Sequence, residues 1–360
     1  MARPPRIAVV GAGLAGSLLA LALARRGEHP LLIDRGACMG SINNATLLSY
    51  GGVAGWGPSR HWRRLQHLHG DLGWRPSRLV CHSQPWPLGS LPVSVLALLS
   101  SPLPFGRVDP QALVAALPSA LAEAGVKCCT HAVEALAVDR AGGWRLRLAG
   151  PSVGLSESGL VGPELHVDQV VLAAGAHCGS LWPTLPERLR ISWAGVLAVR
   201  CNPHGNPWLE QVSRGHVVMP AHMARPHLEQ QPPESGADGW VVDPGLAPWG
   251  KEGVLLGQIS LVRSTSSLEP PDPELMEARL RQGLGRLDPI LQRLEGCFHQ
   301  VPVTFCSETG PLVGPVDGEL GLWVFTGFSA AFSLVPHAAE SLAETLIKSL
   351  LGVPSRTKLG

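Results

Sequence analysis

The chain has 360 residues, 45% of them apolar and 16% charged, with a net charge of +1 at pH 7. That length supports one large or two intimate domains, and the near-neutral balance offers no whole-chain footprint for nucleic acid or an acidic membrane. The eight cysteines include no CxxC pair, and Cys128 adjoins Cys129. This usage suits neither a zinc site nor a disulfide framework and is expected of buried thiols in a reducing cytosol.

A β-branched run, Ile7 to Val10, leads into Gly11-x-Gly13-x-x-Gly16, an Ala/Leu-rich helical stretch and a second apolar run ending in Asp34. The pattern predicts strand, tight turn, helix and strand. Gly11 allows the turn, Gly13 lets backbone approach a pyrophosphate, and Gly16 lets helix and strand pack closely. The helix opening at Leu14 and Ala15 offers free N–H groups and a positive dipole end to phosphates. Asp34, with Arg35 beside it, is placed to accept hydrogen bonds from a ribose diol. The uncharged stretch 7–24 also resembles a secretory signal or a marginal membrane span. Neither of those needs three glycines at this spacing, nor Asp34.

A polar loop, Gly40 to Thr46, follows, and then a helix predicted around 57–70. The uncharged stretch 83–106 is broken by five prolines, which makes it a poor membrane helix and a candidate buried or mouth-lining loop. Asp109 and Pro110 start a helical run that Gly125 stops. Strands are expected within 126–138, 144–149 and 166–174, the last turning on Ala174 and Gly175. From 188 to 305 short β-like runs (191–201, 214–219, 239–243 and 253–263) alternate with Pro/Gly-rich loops. This predicts an antiparallel sheet, with one amphipathic helix at 273–287. A buried strand, Leu322 to Phe325, then enters Thr326-Gly327-Phe328-Ser329-Ala330, and a helix is predicted from 336 to 350.

In this order the pieces resemble the D-amino-acid oxidase/glycine oxidase (DAO) superfamily of FAD-dependent oxidoreductases. The resemblance rests on GAGLAG with Asp34 and on Ser41-Ile42-Asn43-Asn44-Ala45, similar to the family's small-residue flavin loop. It continues through GRVDPQALVAAL, His131-Ala132-Val133, VVLAAGAHCGSL, Gly310-Pro311-Leu312-Val313-Gly314 and LWVFTGFSAAFSLVPHAAESLAETL. It implies an α/β fold: a Rossmann-type, glutathione-reductase-like FAD-binding domain with an inserted antiparallel β-sheet substrate domain. The implied cofactor domain is 1–80, 106–187 and 307–353, the substrate domain 81–105 and 188–306, and the tail 354–360. The implied FAD contacts are Gly11, Gly13, Leu14, Ala15, Gly16, Asp34, Arg35, Ser41, Asn43, Asn44, Ala45, Thr46, Val133, Ala174, Gly175, Gly327, Phe328, Ser329 and Ala330. Gly327 would aim helix N–H groups at the flavin's pyrimidine edge, where a dipole stabilises the reduced state. The implied reaction moves hydride from a C–H beside an amine or hydroxyl of a small molecule to flavin N5. Oxygen or another acceptor then takes the electrons.

The chain also departs from that pattern. Amino-acid-oxidising relatives hold the substrate carboxylate with an arginine near the Pro311 segment, but no arginine occurs between Arg293 and Arg356. Tyr50 is the sole tyrosine, and Ala45 stands where relatives often carry glycine. Arg200, Arg263, His216 and His222 are candidate substitute anion binders, and His177 is a candidate polar group near the cofactor. The spacing of His204, His216, His222 and His227 fits no compact metal motif. Cys306 is offset from the position of covalent flavin attachment, so FAD is expected to be non-covalent. Glycine and D-alanine are expected to be poor substrates, and a bulkier amine or alcohol would be oriented by Trp193, Trp208, Phe305 and Phe328. Two further readings are an FAD-containing binding protein without turnover and an NAD(P)H-dependent flavin monooxygenase. The latter's Gly-Asp signature meets only the reversed Asp317-Gly318.

Overall fold

A computed structural model describes residues 6–36, 45–82, 104–140, 142–149, 164–200, 205–230, 238–251, 253–264, 267–307 and 310–351. The chain divides into two compact units, the first comprising 1–41, 117–186 and 311–360, the second 42–116 and 187–310. Residues 42–80 and 106–116, which the sequence reading assigns to the cofactor domain, group with the second unit.

The first unit is built on a parallel sheet. Its strands lie in the order Leu322–Thr326, Gln169–Leu172, Ile7–Val10, Leu31–Asp34, Lys127–Thr130. Leu312–Pro315 adds an antiparallel edge beside Leu322–Thr326. Every residue of Ile7–Val10 and Gln169–Leu172 is buried. These runs lack polar alternation because helices and sheet cover both faces of a parallel strand. The helix Leu14–Ala24 buries nine of its 11 residues, which is why it is apolar all round. It packs on the C-terminal helix Ala331–Leu350. A three-stranded antiparallel sheet, Glu164–Val167, Trp144–Ala149 and Ala132–Val138, completes the unit. Its anchor is Trp144, fully buried, whose indole N–H donates to the Leu320 carbonyl at 3.0 Å.

One ion cluster ties the two helices together. Glu340 accepts from Arg25 and lies 2.7 Å from Arg26. Burial works against the Glu340 charge, but the hydrogen bonds from Arg25 and Arg26 outweigh it and hold its pKa below the ordinary 4.5. A lowered carboxylate pKa gives stability that is present above 4.5 and lost as pH falls through the folded value. Glu340→Gln is therefore expected to cost about 1–2 kcal/mol at neutral pH, because hydrogen bonds to charged groups are lost. The deficit should shrink as pH falls below 4.5. Urea titrations of both proteins at pH 7 and pH 4 check this. An equal deficit at both pH values would remove the ion cluster from the account.

The second unit carries a six-stranded sheet, ordered Gly296–Cys306, Leu189–Arg200, Gly253–Val262, Gly239–Trp249, Val217–Pro220, Leu79–His82. All pairs are antiparallel except the last. The helix Pro273–Leu287 covers one face. Gly195 makes that packing possible, since a Cβ there would lie 2.7 Å from Phe298, 2.8 Å from Ile259 and 3.0 Å from Met276. A smaller sheet, Gly52–Ala54, Phe105–Val108 and Trp74–Ser77, lies beside the helix Trp56–His69.

The helices predicted at 57–70, 110–124 and 273–287 form as Trp56–His69, Pro110–Glu123 and Pro273–Leu287. Asp109 Oδ1 accepts from the N–H of Gln111 (2.9 Å) and Ala112 (3.2 Å), and Gly125 takes φ +77°. Three readings are corrected. The run 126–138 splits at His131 between the parallel and the antiparallel sheet, and 166–174 splits at Asp168 likewise. The C-terminal helix begins at Ala331, not 336, and runs through Pro336. The strands within 188–305 pair antiparallel as expected, and Leu79–His82 adds one parallel strand at the edge of their sheet. Short helices Pro207–Ser213, Arg225–Gln230 and Pro289–Arg293 interrupt the β-rich region. Two of these carry readable signals: Asn206-Pro207 and Asp288-Pro289 are cap-plus-proline starts, and both side chains accept from helix N–H groups.

Candidate active site

Parallel strands all end on one edge of their sheet. Here the carboxyl ends bring five segments together: Thr326-Gly327, Leu172 to Gly175, Val10-Gly11, Asp34-Arg35 and Thr130-His131. Adjacent ends are about 4.8 Å apart, so this edge offers a line of backbone suited to a long dinucleotide.

The glycine turn sits at the centre. Gly11 has φ +105°, and its N–H donates to the Ile33 carbonyl at 2.7 Å, continuing the ladder into the turn. A Cβ on Gly11 would meet the Ala173 carbonyl oxygen at 2.5 Å. A Cβ on Gly16 would lie 1.9 Å from the Gly11 carbonyl oxygen, so helix and turn touch backbone to backbone. Gly13 differs: a Cβ there would have nothing within 4 Å among the described residues. Gly13 is also the N-cap of the Leu14–Ala24 helix, and among the described residues no side chain caps that end. Open space facing an uncapped helix N-terminus is what a diphosphate requires.

Asp34 is already partly engaged. Its Oδ2 accepts from the Ala12 N–H at 2.8 Å and its Oδ1 from the Gly36 N–H at 2.9 Å. These bonds fix the carboxylate against the turn. A carboxylate has about four lone-pair sites, so capacity for a diol remains. Arg35 is exposed, and Leu14 is buried beside half-buried Ala15. Gly175, at φ +56°, has nothing within 4 Å of its Cβ direction, and Ala174 beside it is half-buried. His177 closes that turn with Nδ1 buried and without a partner among the described residues. Burial, then the Arg35 charge, pulls its pKa below 6.5, while Asp34 pulls it up. Burial likewise pushes the Cys178 thiol up to about 11. Gly327 is buried at φ +83°, Phe328 packs edge-on to Phe325 at 5.0 Å, and Ser329 and Ala330 are exposed before the C-terminal helix. Val133 is half-buried opposite Leu148. Ser41, Asn43 and Asn44 lie outside the described residues. Ala45 is exposed and Thr46 buried, both in the second unit.

In the second unit the candidate anion binders prove to be committed or peripheral. Arg263 donates to Asp238 (2.6 Å) and to the Glu269 carbonyl (2.8 Å), so it serves structure. Arg200 is exposed at the end of its strand. His216 is bonded to Gln211 at 2.9 Å. His222 is exposed, and His204 is outside the described residues. Among the described residues no group of three or more His, Cys, Asp or Glu converges on a metal position. Of the aromatic candidates, Trp193 shares Gly195's helix-covered face by strand alternation, Phe305 is buried under the Arg190 guanidinium at 5.3 Å, and Trp208 stacks edge-on to His82 at 5.8 Å.

Sequence reasoning missed where Tyr50 goes. The sole tyrosine reaches the middle of the 239–262 hairpin. Cβ atoms built on Gly257 and Gly245 would approach its hydroxyl to 3.2 and 3.4 Å. Burial, then the Asp243 charge, drives its pKa far above 10, with the Gly257 N–H working the other way. Tyr50 packs with Leu48, Ala194, Val196, Ala198 and Leu255 on the face opposite Gly195. Arg107, from the GRVDP segment, holds this region by donating to the Tyr50 carbonyl at 3.2 Å and to the Pro248 carbonyl. Glycines at 245 and 257 were the available signal, but only pairing shows that they face one tyrosine.

The sequence pattern described as DAO, FAD dependent oxidoreductase, matches residues 86–345, and that of an NAD(P)-binding Rossmann-like domain matches residues 9–68. No curated protein matches the chain in sequence. Among solved structures, glycine oxidase from Geobacillus kaustophilus is similar at a TM-score of 0.67 and 16% identity, with 100% of both chains covered. Iminodiacetate oxidase from Chelativorans sp. BNC1 is similar at 0.65 and 17%, covering 98% of this chain and 97% of that one. L-Proline dehydrogenase from P. horikoshii is similar at 0.62 and 13%, covering 97% and 94%. At these identities the likeness is one of fold. The family pattern spans most of the length, and the open, uncapped glycine turn fits the cofactor; the chain belongs to the DAO family of FAD-dependent oxidoreductases.

Proposed function

We propose that the first unit holds FAD non-covalently across the carboxyl ends of its parallel strands. The contacts would come from Gly11, Gly13, Leu14, Ala15, Gly16, Asp34, Arg35, Val133, Ala174, Gly175, Gly327, Phe328, Ser329 and Ala330. We propose further that the enzyme oxidises a C–N or C–O bond of a small amine or hydroxy substrate. When bound, FAD supplies a two-electron acceptor for the hydride leaving such a substrate. The observation that carries the reading is the empty Cβ direction at Gly13 beside an uncapped helix N-terminus. The chain's own residues contribute position and charge. The helix N-terminus faces the diphosphate, Asp34 keeps lone pairs for the ribose, and the Gly327 turn leads N–H groups of the C-terminal helix toward the ring system. A strong catalytic acid or base is not required, since positioning and desolvation account for much of such a reaction.

The substrate class follows from the arginines. Arg107, Arg190 and Arg263 are tied to backbone carbonyls or to Asp238, so none of the three is set up as a carboxylate fork. Each charge-assisted bond absent from a carboxylate is worth about 1.5–3 kcal/mol, or roughly one to two decades in kcat/KM. A bulky or secondary amine, held by apolar contacts, fits better than a small amino acid. Anaerobic reduction of the flavin by a panel of amino acids, secondary amines and hydroxy acids tests this. Glycine and D-alanine are expected to bleach it at least about tenfold more slowly than the best amine. Fast bleaching by glycine would sink the substrate assignment. No bleaching by any compound, with FAD firmly bound, would favour a binding protein without turnover.

A further inference from the structure

The helix Trp56–His69 has two unlike faces. Ser59, Trp62 and Leu65 are buried. The opposite face carries Trp56, Arg60, Arg63, Arg64 and His67, all exposed, which recur at helical spacing along one stripe and line one shallow depression. No Asp or Glu occurs from Trp56 to Gly70. The next acid, Asp71, is taken by Arg75 at 2.8 Å. Among the described residues no carboxylate pairs with Arg60, Arg63 or Arg64; Arg63 instead lies 5.4 Å over the Trp74 ring. At the two ends of the helix stand large apolar side chains in water, Trp56 at 68% exposure and Leu68 at 43%. The whole-chain charge of +1 hides this stripe, because acids elsewhere cancel it.

We propose that this helix is a docking surface for anionic phospholipid. Charge complementarity names the ligand: three guanidiniums in one row present planar forks to phosphate oxygens. The arrangement favours lipid over a protein partner. Protein interfaces place their apolar core at the centre and their polar groups on the rim. On this helix the cations are central and the apolar groups sit at the ends, where tryptophan and leucine can enter the headgroup layer. Three arginines, each contributing about fivefold near an anionic surface, give reversible, salt-sensitive binding rather than anchoring.

The test uses FAD-loaded protein, sedimented with vesicles of equimolar phosphatidylglycerol and phosphatidylcholine, or of phosphatidylcholine alone. Binding to the anionic vesicles is expected at about 20 mM salt, at least tenfold weaker on the neutral ones, and lost at about 300 mM. Arg60→Glu/Arg63→Glu/Arg64→Glu should abolish it while leaving flavin content and the circular dichroism spectrum unchanged. Should that triple variant fold poorly, Arg60→Gln alone should weaken binding by about fivefold. Brominated phosphatidylglycerol should quench tryptophan emission in the native protein and not in Trp56→Phe. Three outcomes overturn the proposal: equal binding to neutral vesicles, native-like binding of the charge variants, or no binding to anionic vesicles at low salt. In the last case, salt-sensitive binding to polyglutamate would assign the stripe to an acidic protein instead.

Discussion

Replacing Gly13 by valine is expected to leave the protein folded and unable to retain FAD. A Cβ at Gly13 would meet none of the described residues within 4 Å, so valine has room among them in the apoprotein. The residue also has φ −69°, which any side chain tolerates. The same room is where a diphosphate must approach the backbone and the helix N–H groups. The added isopropyl group would fill it and hold the phosphates away from those donors. Hydrogen bonds to a charged group are worth about 1.5–3 kcal/mol each, so loss of two or three weakens FAD binding by several decades. Flavin absorbance per protein and the thermal midpoint are the two readouts. A purified variant that keeps a full complement of FAD would move the cofactor site elsewhere. Bound FMN in the native protein would leave Asp34 without an adenosine ribose to hold, and would contradict the assignment equally.

Gly16→Ala, three residues along, is expected to fail for the opposite reason. Its Cβ would sit 1.9 Å from the Gly11 carbonyl oxygen and 3.3 Å from the Ala173 Cβ. The first contact is with backbone of a turn pinned by the Gly11-to-Ile33 and Ala12-to-Asp34 bonds, so nothing can rotate away. The helix must separate from the strand, exposing a face of which Leu18, Leu19 and Leu21 are at most 1% accessible. A cost of about 4 kcal/mol or more is expected, a large share of a typical domain's stability. The variant should be largely insoluble or show a thermal midpoint lowered by roughly 10 °C or more. Near-native stability would mean that turn and helix do not pack as closely as described. The contrast between the two glycines separates loss of ligand from loss of fold.

Much of the first unit was legible because its signals are local. The order of strand, glycine turn, helix and acid lies within residues 7–34, and each part acts on neighbours a few positions away. The Asp109-Pro110 and Gly125 punctuation bounded a helix for the same reason. Apolar runs with small residues after them marked the strands whose ends converge, since a buried parallel strand must be apolar on both faces.

What the sequence determined by itself, then, was the cofactor class and the kind of most of the longer elements, because backbone conformation and binary pattern are local properties. Tertiary structure alone decided which elements meet. Nothing near residue 50 announces that Tyr50 will lie over Gly245 and Gly257, and nothing near Arg263 announces its bond to Asp238. Nor does the Leu79–His82 run reveal that it pairs in parallel with Val217–Pro220. Those partners are far apart in the chain, and their pairing is set by the sheet they complete. A side chain's role follows from what it meets there, and its own residue type gives only the range of bonds it can make.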